Sequence, residues 1–219
     1  LMYVRTLSGT TWSDWVRIAT FKDIDPMSEK LDNLYPGGAN ILRNSNTDVG
    51  SSTSSGTWST GGWRTTGTGT IAKIVVTDVP DVNLSFGWRL TRPSSPTGDL
   101  TCYQQSIPVV PGNTYMLSCY ARSAVGNSKL MLQLGASSTG YFNMEHELTS
   151  EWKRITLQAT MNSNTVSSLA VFRVKAAYGA AVIEICGEKM ETGNVATGWC
   201  QSPWDIGNVP SAASRSGYT

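Results

Sequence analysis

Beyond residue 36 no part of this chain sustains a helical period, whereas a period of two recurs along it. Roughly eight to ten short runs rich in Val, Ile, Leu, Tyr and Phe alternate with clusters of Gly, Pro, Asn and Ser. Such segments bury their apolar faces by packing sheet on sheet, so an all-β sandwich is expected. The clearest alternation runs from Thr101 to Ser123. Residues 101–110 and 114–122 read as two antiparallel strands joined at Pro111-Gly112-Asn113, because Pro presets φ and Gly and Asn tolerate positive φ. In the second strand Tyr115, Leu117, Cys119 and Ala121 share one face, which is expected in the core. Met116, Ser118, Tyr120 and Arg122 share the other, which is either an ordinary sheet exterior or a surface of ring and guanidinium suited to sugars.

Composition narrows the partners. Charged residues make up 15% of the 219-residue chain and the net charge is +1, too little for a basic nucleic-acid footprint. No apolar run is long enough for a membrane-spanning helix. The start, Leu1-Met2-Tyr3-Val4-Arg5, lacks a signal-peptide pattern and reads as the beginning of a fragment of a longer chain. The four cysteines, Cys102, Cys119, Cys186 and Cys200, form no C-x-x-C pair, so zinc is not expected. Cys119 and Cys186 read as small core residues, and a disulfide is left open.

Residues 1–24 read as a β-hairpin in which Tyr3-Val4-Arg5 and Trp15-Val16-Arg17-Ile18 flank a polar turn. Residues 25–38 are expected as a linker, with a turn or two of helix after Pro26 and a stop at Pro36-Gly37-Gly38. The main domain is expected over 39–204, with strands at 39–44, 71–77, 84–90, 129–135, 169–176 and 181–186 besides the pair above. A further strand follows Glu151, with a bulge near Lys153, because Trp152, Ile155 and Leu157 do not share parity. Residues 45–70 read as a long polar loop, interrupted by Trp58, Trp63 and Arg64, that presents or buries its rings. Residues 136–151 read as a polar connection containing the single histidine, His146, and 205–219 as a loose tail.

Several stretches together point to a family. Gln104-Gln105-Ser106-Ile107, then Pro111-Gly112-Asn113, then the Tyr115, Ser118, Tyr120-Ala121 strand, and later Glu151-Trp152-Lys153-Arg154 follow in a telling order. This order resembles the family 4/9 type of carbohydrate-binding module, a jelly-roll β-sandwich, over about residues 33–204. The stretch from Lys189-Met190-Glu191 through Ala196-Thr197-Gly198-Trp199 to Ser202-Pro203-Trp204-Asp205 is similar to a closing signature of such modules in bacteriophage and prophage tail proteins. Met190 stands where the signature has Leu, and Trp204 interrupts its prolines. Trp12-Ser13-Asp14-Trp15 in the first hairpin resembles the last strands of a small tail-fibre knob domain.

The resemblance implies a non-catalytic module that binds a cell-surface polysaccharide for a phage or prophage tail, in the virion and at the bacterial surface. It implies other tail chains as partners and a homo-oligomer, with a trimer favoured. A structural spacer of the virion and an accessory module of a glycoside hydrolase are the alternatives. Sugar binding needs an aromatic face and fixed amide, hydroxyl or guanidinium groups. The residues chosen on that basis are Trp58, Trp63, Arg64, Trp88, Tyr103, Gln105, Tyr120 and Arg122. Either Gln104 or Gln105 points into the groove, and core packing is the competing role for Trp88. A structural calcium ion is frequent in the family, and Asn44, Asn46, Glu184 and Glu188 lie near the corresponding chain ends. With one histidine and no GxSxG, HExxH or P-loop, no catalytic constellation is expected.

Overall fold

The computed structural model describes residues 2–4, 7–8, 10–12, 16–18, 38–43, 45, 56–57, 62–95 and 97–206. The chain divides into two compact units, Leu1–Pro36 and Gly37–Thr219. In the first, β1 (Met2–Val4) pairs antiparallel with β4 (Val16–Ile18), and β2 (Leu7–Ser8) with β3 (Thr11–Trp12).

The second unit is a sandwich of two antiparallel sheets. One sheet has six strands, in the order β12 (Gly140–Leu148), β11 (Ser128–Ala136), β14 (Ser167–Val174), β9 (Leu100–Pro108), β6 (Arg64–Gly67) and β5 (Gly56–Thr57). The other has five, in the order β13 (Lys153–Thr160), β10 (Thr114–Ser123), β15 (Ala181–Thr192), β8 (Phe86–Arg92) and β7 (Thr70–Val75). Helix among the described residues is confined to a 3-10 turn, Ala176–Tyr178, and one α turn, Pro203–Ile206. The core lies between the sheets, where Leu117, Ile155 and Ile185 from one sheet join Leu100, Leu132 and Phe172 from the other.

Four expectations are corrected. The two strands of the Thr101–Ser123 stretch are not a hairpin, for β9 belongs to the six-stranded sheet and β10 to the five-stranded one. Both present apolar side chains to a common core, so the chain arches between layers around Pro111-Gly112, and the Tyr115 hydroxyl accepts the Val110 N–H across that arch (2.8 Å). Residues 39–44 are not a strand where described, because their polar groups are spent on Asn40. Its Nδ2 donates to the Glu188 and Cys200 carbonyls (2.9 and 3.2 Å), and its Oδ1 accepts from Leu42 N and Met190 N (3.1 and 3.2 Å). The connection 136–151 contains a nine-residue strand, β12. At the sheet edge even its inward Phe142 and Met144 remain 40% and 45% exposed, which erases the alternation a reader looks for. No bulge is needed near Lys153, since β13 begins there and pairs with β10 in unbroken register, leaving Trp152 before the strand.

A register shift does occur opposite Cys119, where Gly187 adopts φ +63. Ile183 and Ile185 face the core before this bulge, and Met190 after it. Glu188 shares parity with Met190 and is therefore drawn inward, while Lys189 and Glu191 face out.

Candidate functional site

Cross-strand partners in an antiparallel sheet share a face, so the exterior of the six-stranded sheet can be laid out in rows. One row runs Arg64, Tyr103, Val171, Gln133, Asn143 across β6, β9, β14, β11 and β12. The next runs Thr66, Thr101, Arg173, Met131, Glu145. Val171, Gln133, Met131 and Thr101 form a buried floor. Arg64, Tyr103 and Arg173 rise half-buried from it, and Gln105, Tyr141 and Asn143 are exposed around it.

Gln105 owes its place to Ser106, a non-glycine residue at φ 58 that shifts the register of β9 against β14. The shift lets Gln105 face out and Ile107 face in although their spacing gives them equal parity. Gln104 points inward, where its Oε1 accepts from Arg43 N (3.0 Å) and its Nε2 donates to Arg43 O. Arg173 Nη2 donates to Gln133 Oε1 (3.0 Å), which fixes a guanidinium and an amide at the centre of the face. The rim on β12 is neutralised locally, with Lys175 Nζ 2.9 Å from Glu145 and Lys129 Nζ 2.8 Å from Glu147. Rings, amides and guanidinium groups held on a rigid sheet are what a sugar needs: a flat face for its C–H side and fixed partners for its hydroxyls.

The opposite exterior is closed by the chain itself. A Cβ on Gly187 would meet Leu84 at 3.1 Å, Tyr120 at 3.3 Å and Trp199 at 3.6 Å, so these side chains cover the centre of the five-stranded sheet. Val76, Leu84, Tyr120 and Cys186 form a small second core there, with Val79, Val82, Trp152 and Trp199 packed against it. Tyr120 is consequently only 5% exposed, and it cannot stack on a sugar. Arg122 is committed to ion pairs with Glu184 (2.7 Å) and Asp78 (2.9 Å), and its guanidinium lies 4.6 Å from the centre of the Trp152 ring. Trp152 Nε1 also donates to Asp78 (3.2 Å), and these partners hold the Asp78 carboxyl below its ordinary range.

Of the residues expected at a sugar site, Arg64, Tyr103 and Gln105 come together on the six-stranded face. Trp63 and Trp88 are corrected to core residues with no exposed surface, and Trp63 packs on Phe172 with ring centres 5.6 Å apart. Tyr120 and Arg122 are corrected to the covered face of the other sheet, and Trp58 lies outside the described residues. Gln133, Tyr141, Asn143 and Arg173 were not foreseen. The alternation of Tyr141, Asn143, Glu145 and Glu147 in the stretch taken for a polar connection was the available signal.

Of the residues suggested for calcium, the two that are described, Glu184 and Glu188, do not come together as ligands. Glu184 is 2% exposed and already holds Arg122 and Arg89. Glu188 is fully buried, close enough to raise the thiol pKa values of the core residues Cys102 and Cys119, and no hydrogen-bond partner meets its carboxylate among the described residues. Burial pushes the Glu188 carboxyl up to about 8. Asn44 and Asn46 lie outside the described residues. Calcium takes 6–8 oxygens, and the described residues bring no three acidic, histidine or cysteine side chains together for a metal. His146 is half-buried with Nε2 3.0 Å from Thr156 O, and burial lowers its pKa.

A sandwich with one face closed and one polar-aromatic face available defines a sugar-binding type of module. The carbohydrate binding domain family CBM_4_9 matches residues 39–177, well over half of the chain, and the chain belongs to that family. Solved structures of similar fold include the enzymatically active domain of tailspike protein 4 of bacteriophage CBA120 (16% identity, TM-score 0.52, covering 70% of this chain and 21% of that one). TmCBM61 in complex with β-1,4-galactotriose is similar at 14% identity and TM-score 0.51, over 70% of this chain and 98% of that one. The CBM22-1 xylan-binding domain of Paenibacillus barcinonensis Xyn10C is similar at 12% identity and TM-score 0.51, over 74% and 99%. At these identities the likeness concerns the fold. No curated protein matches the sequence.

Proposed function

We propose that the module binds a glycan, without catalysis, on the exterior of the six-stranded sheet, and that it does so for a phage or prophage tail at the bacterial surface. The observation that carries the binding reading is the convergence of Arg64, Tyr103, Gln105, Gln133 and Arg173 on one sheet face while the other face is occupied by the chain's own loops. The family and the galactotriose- and xylan-binding neighbours support the same chemistry. The tail setting rests on the closing stretch from Lys189 to Asp205 and its likeness to tail-protein modules. An accessory module of a glycoside hydrolase uses the same face, and an arabinofuranosidase among the neighbours, of which this chain covers 26%, keeps that setting open.

A screen on immobilised bacterial and plant polysaccharides tests the reading. Wild type is expected to bind at least one of them. Tyr103→Ala should lose about 1–3 kcal/mol of affinity, the usual worth of a ring stacked on a ligand face. Arg89→Ala, on the opposite sheet, should bind as wild type. A folded wild-type protein that binds no polysaccharide would return the module to a spacer role.

A further inference from the structure

The proposed face is unevenly charged. Its carboxylates Glu145 and Glu147 stand on the β12 rim, each beside a lysine. Its guanidinium groups, Arg64 at the β6 end of its row and Arg173 on the central β14, stand without equal compensation among the described residues. Arg173 bonds a neutral amide, and its acidic neighbour Asp99 is 3.8 Å away and also takes the Ala176 N–H (2.8 Å). Arg173 Nε is buried and meets no hydrogen-bond partner among the described residues. Arg64 has no acidic partner among the described residues. Arg64 pairs with Tyr103, and Arg173 pairs with Thr101, the residue two before it on the same strand. With strands about 4.8 Å apart, the two arginine backbones are roughly 12 Å from each other and flank the Tyr103 ring diagonally.

Resting on the glycan-binding reading above, we infer that the ligand is an acidic glycan whose sugar ring carries a carboxylate, with the ring against Tyr103 and the carboxylate on Arg64. Among the described residues no carboxylate meets the Arg64 guanidinium, and a glycan carboxylate matches its planar fork through two parallel N–H donors. Arg173, anchored through Gln133, adds a second positive group on the same face, diagonal to Tyr103. The closed arrangement of Lys175 with Glu145 and Lys129 with Glu147 leaves the β12 rim neutral, so the positive charge of the face lies on β14 and β6.

The test uses the full chain and three uronic-acid polysaccharides, galacturonan, alginate and glucuronoxylan, each beside its carboxyl-reduced form, with neutral galactan and xylan as controls. One acidic polymer is expected to bind about tenfold or more tighter than its reduced form. The preference should shrink as salt rises. Arg64→Gln should abolish the preference, so that the acidic form binds no tighter than its reduced form, and Arg64→Lys should keep only part of it. Equal binding of acidic and reduced forms, unchanged in Arg64→Gln, overturns the acidic specificity and leaves glycan binding standing. Binding confined to the neutral controls does the same. Failure of the folded protein to bind any of these or any polysaccharide in the wider screen overturns the glycan-binding reading and this inference with it.

Discussion

Glu188 is a carboxyl group inside a hydrocarbon core, placed there by the bulge at Gly187 rather than by any partner of its own. The groups that face it, the thiols of Cys102 on β9 and Cys119 on β10, are themselves driven well above their ordinary pKa by burial and by the glutamate. A charged carboxylate among them is costly, so Glu188 keeps its proton up to about pH 8. In the unfolded chain a glutamate gives up its proton near ~4.3. The native state thus holds a proton that the unfolded state releases between these values. The contribution of Glu188 is fully present below the unfolded pKa and is lost as pH rises through the native one. Glu188→Gln keeps the volume and removes the linkage. It should stabilise the protein by on the order of 4–5 kcal/mol near pH 8 and by little near ~4.5. Urea melts of both proteins across this range check it. The difference between them isolates Glu188 from the exposed Asp78, Glu145 and Glu147, whose lowered pKa values act in the acid limb of both proteins. A constant difference at all pH values would mean that Glu188 ionises freely in the native state.

On the proposed reading one sheet holds the module together while the other contacts ligand, and this division can be tested at one arginine. Arg122 and Arg89 together neutralise Glu184, which is 2% exposed. Removing one partner leaves a buried charge half-compensated, a change that costs about 3 kcal/mol or more in buried pairs. Arg122→Ala should therefore lower the melting temperature clearly and leave glycan affinity unchanged below that temperature. An unchanged melting temperature with lost binding would instead move the site to the five-stranded sheet. The alternation that marks β10 was legible in the sequence, and Tyr115, Leu117, Cys119 and Ala121 do enter the core. Whether Tyr120 and Arg122 met solvent was not legible, because that depends on Leu84 and Trp199 arriving from distant loops. The residues of the closing signature prove structural where they are described. Lys189 and Glu191 pair at 2.9 Å, and both hold Thr197, with Arg154 donating to the Thr197 carbonyl. Asp205 takes the Ser45 N–H (2.8 Å), so the expected end of the domain at 204 falls inside the Pro203–Ile206 turn. The parity of Gln104 and Gln105 failed as a guide for a local reason, since a single residue at positive φ, Ser106, reverses it.

At the scale of the whole molecule, the first unit poses a problem that its own strands do not solve. β1 and β4 pair over three residues each, and β2 and β3 over two. A two-stranded ribbon is marginal in water even when longer than this, and its open edges invite further strands. On the expectation of a homo-oligomer, association of several copies through Leu1–Pro36 would supply further contacts and would suit a binding module acting on a repeating surface. Linking sites on one assembly raises binding to a repeating surface by about 10²–10⁴ with no new contact to the sugar. The full chain is accordingly expected to sediment at three chain masses, and the module from Gly37 onward, which has its own core, at one. On a surface of immobilised polysaccharide the shortened protein should bind about a hundredfold more weakly, while its affinity for a short soluble oligosaccharide of the same sugar stays equal to that of the full chain. Equal retention of both proteins on the surface, with a single-chain mass for each, would assign the hairpin to packing within its own chain and leave the module acting alone.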